Sequence, residues 1–117
     1  MEIVILHEDR ATGALAYAAL RRAFHPAPIH MVRDRRALRD LDLGRVTLAV
    51  LEWDGMSWAS PAGLLRNLKR LRPDCRAVAV CRADSEAEAR AAGADTCIVR
   101  TASRLNPDEL AALRRAP

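Results

Sequence analysis

Short apolar runs alternate along the chain with longer stretches in which apolar residues recur every three or four positions. The first kind reads as buried strands and the second as amphipathic helices, so strand and helix are predicted to alternate from end to end. Strand one is Glu2–Leu6, and residues 12–24 form the first helix, with Leu15, Ala19 and Ala23 spaced as its buried stripe. His25-Pro26-Ala27-Pro28 breaks that helix, and Ile29–Val32 is a short second strand. Asp34 can cap a second helix that turns Ala37, Leu38 and Leu41 inward and stops near Gly44.

Residues 46–51 form an almost unbroken apolar run, as expected for a central strand covered on both faces. Ser60-Pro61 supplies a cap and a first-turn proline for a helix reaching about Leu71. Residues 76–80 are the fourth strand. Ser85-Glu86-Ala87-Glu88 has capping-box spacing, and Gly93 stands where the following helix, residues 85–92, would end. Thr96–Val99 is the fifth strand, and Asn106-Pro107-Asp108-Glu109 opens a last helix running to the end of the chain. Five βα units with right-handed crossovers predict an α/β, flavodoxin-like sandwich with a five-stranded parallel sheet in the order 2-1-3-4-5.

Composition narrows the picture further. A chain of 117 residues is enough for one core, so residues 1–117 are read as a single domain. Half the residues are hydrophobic but only 3% are aromatic, so Leu, Val, Ile and Ala must fill the interior. No apolar stretch approaches the roughly 20 residues that span a bilayer. Met1 leads straight into strand one, leaving no room for a signal peptide, and the chain reads as cytoplasmic. Net charge is +4, and every basic residue except Lys69 is Arg, a skew that reflects base composition more than a partner. Cys75, Cys81 and Cys97 have no CxxC spacing and read as small core residues in a reducing compartment.

The chemistry gathers at strand ends. Ile3-Val4-Ile5-Leu6 runs into His7-Glu8-Asp9, and Leu48-Ala49-Val50-Leu51 runs into Glu52-Trp53-Asp54. Carboxylates from two neighbouring strands therefore converge where open α/β sheets place their sites. The fourth strand ends at Cys81 and the fifth at Arg100, so an acidic pocket is expected to face one strand-end cation. With Ala91-Ala92-Gly93-Ala94-Asp95 before strand five, this layout resembles the receiver domain of bacterial two-component signalling over nearly the whole chain.

That resemblance assigns roles position by position. In receivers two acidic residues after strand one hold magnesium, and an aspartate ending strand three accepts a phosphoryl group. A Thr or Ser after strand four, an aromatic in strand five and a Lys-Pro after it complete the set. Here His7 and Glu8 fall at the acidic pair, with Asp9 next, and Glu52 falls at the phosphoacceptor. Cys81 takes the Thr position, Cys97 the aromatic, and Arg100-Thr101 replaces Lys-Pro. The loop after Glu52 is a few residues longer than usual, and the segment from Cys81 to Arg100 a few shorter. The set of substitutions is that of a degenerate receiver.

Glu52 carries one more methylene than Asp, moving its oxygens by about 1.5 Å, and a misplacement of about 1 Å costs on the order of 100-fold in rate. Phosphoryl transfer to Glu52 is disfavoured on that ground. A Glu52–Arg100 ion pair could instead imitate a phosphorylated receiver, or the pocket could be a structural relic. Glu8, Asp9, Glu52 and Asp54 could hold a weak Mg²⁺, the one cofactor in question; left unpaired, they would raise one another's pKa. His7 is expected to be held by hydrogen bonds, since no second His or Cys is spaced to make a metal site with it.

Trp53, Met56 and Trp58 would either present an interface or pack over the pocket and the third helix. The basic runs Arg33-Asp34-Arg35-Arg36 with Arg39, and Arg66, Lys69, Arg70, Arg72 with Arg76, are interspersed with acids and lack aromatic interleaving. They read as solvated faces rather than nucleic-acid sites. No GxGxxG, GxxxxGK[ST] or GxSxG motif is present. The expected function is a stand-alone atypical receiver-like domain, not an enzyme, that binds protein partners without aspartate phosphorylation. Its expected contact face is the fourth helix, fifth strand and last helix, which could also make a homodimer. Two alternatives are a working phosphoacceptor using a displaced Asp54 or Asp9, and a small arginine-rich nucleic-acid-binding regulator.

Overall fold

The structure, a computed structural model, describes residues 1–100 and 105–115. Strands β1 (Glu2–Leu6), β2 (Ile29–Val32), β3 (Val46–Glu52), β4 (Arg76–Cys81) and β5 (Thr96–Val99) form one parallel sheet. Its order, β2-β1-β3-β4-β5, is the predicted one. Helices α1 (Arg10–Phe24), α2 (Arg35–Arg39), α3 (Pro61–Leu71), α4 (Glu86–Ala91) and α5 (Pro107–Ala112) cover it. The architecture is a flavodoxin-like α/β sandwich, and no described helix is long and apolar enough to cross a membrane.

Strand alternation splits the core into two layers. Val4, Leu6, Ala49, Leu51, Ala77, Ala79 and Cys81 face one way and pack with Leu65, Leu68 and Ala89 of α3 and α4. Ile3, Ile5, Leu48, Val50, Val78 and Val80 face the other way, against Ala16, Ala19 and Leu20 of α1 and Leu110 of α5. The same parity continues past the strand ends. His7 follows Ile5 toward α1, while Trp53 follows Leu51 and joins the layer of α3 and α4.

Several helix ends are capped as their sequences require. Asp9, Asp34, Ser60 and Asn106 each accept a backbone N–H from the first turn of their helix. Three details correct the expectations. In α1 the buried residues are Thr12, Gly13, Ala16, Ala19 and Leu20, whereas Leu15 is exposed; the stripe is rotated because His7 occupies the space beneath residue 13. The last helix stops at Ala112 and tightens into a 3-10 turn over Leu113–Arg115. And Ser85 makes no cap on α4; a 3-10 turn, Ala83–Ser85, leads into that helix instead.

At the amino-terminal end of the sheet Lys69 donates to the Cys75 carbonyl and to Asp95, each at 2.6 Å. Asp95 also takes the Ala77 N–H. Burial opposes ionisation of Asp95, but these two donors together hold its carboxyl below the usual range. This knot joins α3 to the starts of β4 and β5.

Candidate functional site

The carboxyl ends of β1, β3, β4 and β5 open onto a cleft of about 430 Å³ lined by Asp9, Glu52, Asp54, Gly55, Arg82 and Arg100. Three of the predicted acidic residues therefore meet there, facing two cations rather than one. Arg82 was missed in the sequence, although it follows β4 as Arg100 follows β5. Glu8 is turned away from the cleft.

Each carboxylate is already engaged. Glu52 is buried, 5% exposed, and its Oε1 accepts the backbone N–H of Glu8 at 2.9 Å and of Asp9 at 3.0 Å. Its Oε2 lies toward Gly55, which turns the chain with φ +86° and would set a Cβ 3.7 Å from that oxygen. Asp9 Oδ2 accepts the Thr12 hydroxyl at 2.7 Å and the Thr12 N–H at 2.9 Å. Glu8 Oε1 accepts the Ser57 N–H and hydroxyl at 2.6 and 2.7 Å. Asp54 accepts the Arg82 N–H and the Ser85 hydroxyl, both at 2.7 Å, with the Arg82 guanidinium 3.7 Å away.

Two expectations fail on this arrangement. Glu8 and Asp9 are not raised: the Ser57 hydroxyl and amide hold Glu8 below its ordinary value, and the Thr12 hydroxyl and amide do the same for Asp9. Nor do Glu52 and Arg100 pair among the described residues. Arg100 reaches the Thr12 hydroxyl at 3.4 Å, and its charge also favours ionised Asp9. As for the suggested magnesium ligands Glu8, Asp9, Glu52 and Asp54, no three His, Cys, Asp or Glu side chains among the described residues are placed to hold a metal ion. Separate hydrogen bonds direct the four carboxylates to separate partners.

His7 is 3% exposed. Its Nδ1–H donates to the Asp9 carbonyl at 3.3 Å, and Nε2 has no partner among the described residues. Burial pushes its pKa down, so the ring is held neutral.

The positions matched to the receiver's Thr and aromatic are thiols, of which Cys97 makes one long contact, from Sγ to the Glu86 carbonyl at 3.9 Å. Cys81 is fully buried, and burial pushes its thiol up to about 11; Cys97 beside it is raised for the same reason. Thr101 lies outside the described residues. The tryptophans follow the packing alternative. Trp53 is buried and donates from Nε1 to Glu88 at 3.2 Å, and Trp58 donates to the His7 carbonyl at 3.1 Å. Both partners of the expected capping box are thus drawn to the end of β3: Ser85 by Asp54 and Glu88 by Trp53.

Comparison with solved structures fixes the fold family. A signal receiver domain from Colwellia psychrerythraea superposes with a TM-score of 0.79 at 20% identity, covering 98% of this chain and 95% of that one. The chain has the receiver-domain fold. The BeF3-activated receiver domain of DrrB, a Thermotoga maritima protein, gives 0.80 at 18% identity over 97% and 93% of the two chains. The chemotaxis response regulator CheY4 of Vibrio cholerae gives 0.77 at 15% over 97% and 96%. No family model and no curated relative matches the sequence. On the receiver fold, Glu52 occupies the end of the third strand and Arg100 the end of the fifth.

Proposed function

We propose that this chain is an atypical receiver-like signalling domain that acts by protein–protein contact and does not pass through an aspartyl phosphate. The observation that carries this reading is the engagement of Glu52. A phosphoacceptor must present a free carboxylate oxygen in line with the donor phosphorus, with a metal neutralising the transferring oxygens. Glu52 instead spends Oε1 on two backbone amides of the β1–α1 loop, is nearly sealed from solvent, and has Oε2 against the Gly55 turn. Its extra methylene lets it reach those amides.

The displaced acceptors fare no better. Asp9 caps α1, and Asp54 is held by Arg82 and Ser85. Cys81 and Cys97 offer weak hydrogen bonding where a receiver relays its state through a hydroxyl and a ring. The domain is then a fixed platform, with no catalytic step, and its output depends on which partner it meets; the face formed by α4, β5 and α5 is the one receivers present.

The test is intact-mass analysis after incubation with acetyl phosphate and Mg²⁺. The unmodified mass is the expected result. An adduct mapped to Glu52, Asp54 or Asp9 would sink the proposal and make the domain a phosphoacceptor.

A further inference from the structure

The two basic runs differ in how their charges are used. In the second, Lys69 meets Asp95, Arg70 meets Asn67, Arg72 meets Asp74 and the Gly44 carbonyl, and Arg76 meets the Leu113 carbonyl, while exposed Arg66 alone has no partner among the described residues. In the first, Arg33, Arg36 and Arg39 have no ion-pair or hydrogen-bond partner among the described residues, and all are exposed. Arg35 is different again. Its Nε donates to the Trp58 carbonyl at 2.7 Å, which orients the exposed guanidinium, and its outer nitrogens have no partner among the described residues.

Arg35 and Arg39 stand one helical turn apart on α2, and Leu38 lies between them, half-buried at the floor of a notch of about 320 Å³. Two of the three local carboxylates are occupied. Asp34 caps α2, Asp42 accepts from Gly44, and Asp40 closes the helix.

We infer that this α2 notch is a docking site for an acidic peptide segment of a protein partner, an aliphatic side chain seated on Leu38 and carboxylates on Arg35 and Arg39. A pre-oriented guanidinium loses little freedom on pairing with a carboxylate. Charge alone would suit a phosphate backbone equally. The apolar floor would not. Trp58 ties the notch to the end of β1: its carbonyl accepts from Arg35 and its Nε1 donates to the His7 carbonyl.

This inference rests on the reading of the chain as a protein-binding domain, but it is tested separately from the absence of an adduct. The probe is a fluorescent peptide of alternating Glu and Leu, measured by anisotropy at low salt. A matched Glu–Ser peptide and a DNA duplex serve as comparisons. The expected result is saturable binding that weakens as salt rises and falls about tenfold in Arg35→Ala/Arg39→Ala, with Leu38→Ser weakening the Glu–Leu peptide toward the Glu–Ser value. Equal affinity for the two peptides, tighter binding to DNA, indifference to the arginine substitutions, or no binding would each overturn it. The Arg66→Ala/Arg70→Ala variant, on the other basic run, keeps wild-type affinity if the notch is the site.

Discussion

The imidazole of His7 lies against the backbone of α1 at Gly13, so close that a Cβ on residue 13 would overlap the ring. The glycine is there for proximity. Gly13→Ala should therefore destabilise by about 1–3 kcal/mol through overpacking, although Ala in a helix interior would otherwise help by roughly 0.5–1 kcal/mol. Denaturant midpoints of Gly13→Ala, His7→Ala and the double variant form a cycle. The double variant should be more stable than the sum of the singles predicts. An additive cycle would mean that the ring does not block residue 13.

Acid should act on the fold in two stages. His7 has a folded pKa below its ordinary 6.5, so the unfolded chain binds its proton first. Its contribution is complete above about pH 6.5 and declines as pH falls from there toward the lower folded value. Glu8 and Asp9 are depressed too, from 4.5 and 3.8, and their contribution is lost only below those values. Melting temperature followed from pH 7 to 3 should show both stages, and His7→Gln should flatten the first while keeping the second.

Removing the Glu52 carboxylate orphans two partly buried N–H groups. Glu52→Ala should cost about 2–4 kcal/mol, at about 1–3 kcal/mol per unsatisfied group with partial relief by water. Glu52→Gln keeps an oxygen acceptor and should lose less than half of that. Urea denaturation distinguishes the two, and equal losses would show that the amides find other partners.

The start of α4 is held from β3 rather than by its own cap. Ser85→Ala and Asp54→Asn should each speed amide exchange in residues 86–91, with the double variant close to the worse single. Trp53→Phe, which removes the Glu88 hydrogen bond together with part of a buried ring, should have an effect of the same sign. If Ser85→Ala acts while Asp54→Asn is silent, the hydroxyl has some other role.

Sheet order and strand limits were legible in the sequence because the five apolar runs are short, β-branched and separated by helix-length segments. Strand-end chemistry was legible for the same reason: parity past Leu6 and Leu51 places His7 and Glu52 on one side. What escaped was set by contacts distant in sequence. The α1 stripe was misplaced because small Gly13 and polar Thr12 are buried by His7 and Asp9, and apolar periodicity cannot register that. The capping box at Ser85 and Glu88 has the right spacing, yet Asp54 and Trp53, about thirty residues earlier, capture both side chains. Arg82 escaped because a cation after β4 has no counterpart in the receiver pattern. The pairing of Glu52 with Arg100 failed because neighbouring amides were nearer.

The chain's single lysine is tied into the knot with Cys75 and Asp95. An amine-selective reagent must first pull that nitrogen out of two short hydrogen bonds, so acylation there also cuts α3 loose from the first residues of β4 and β5. The rate of such labelling then becomes a gauge of how often the end of the molecule opposite the cleft comes open, readable without introducing any foreign residue.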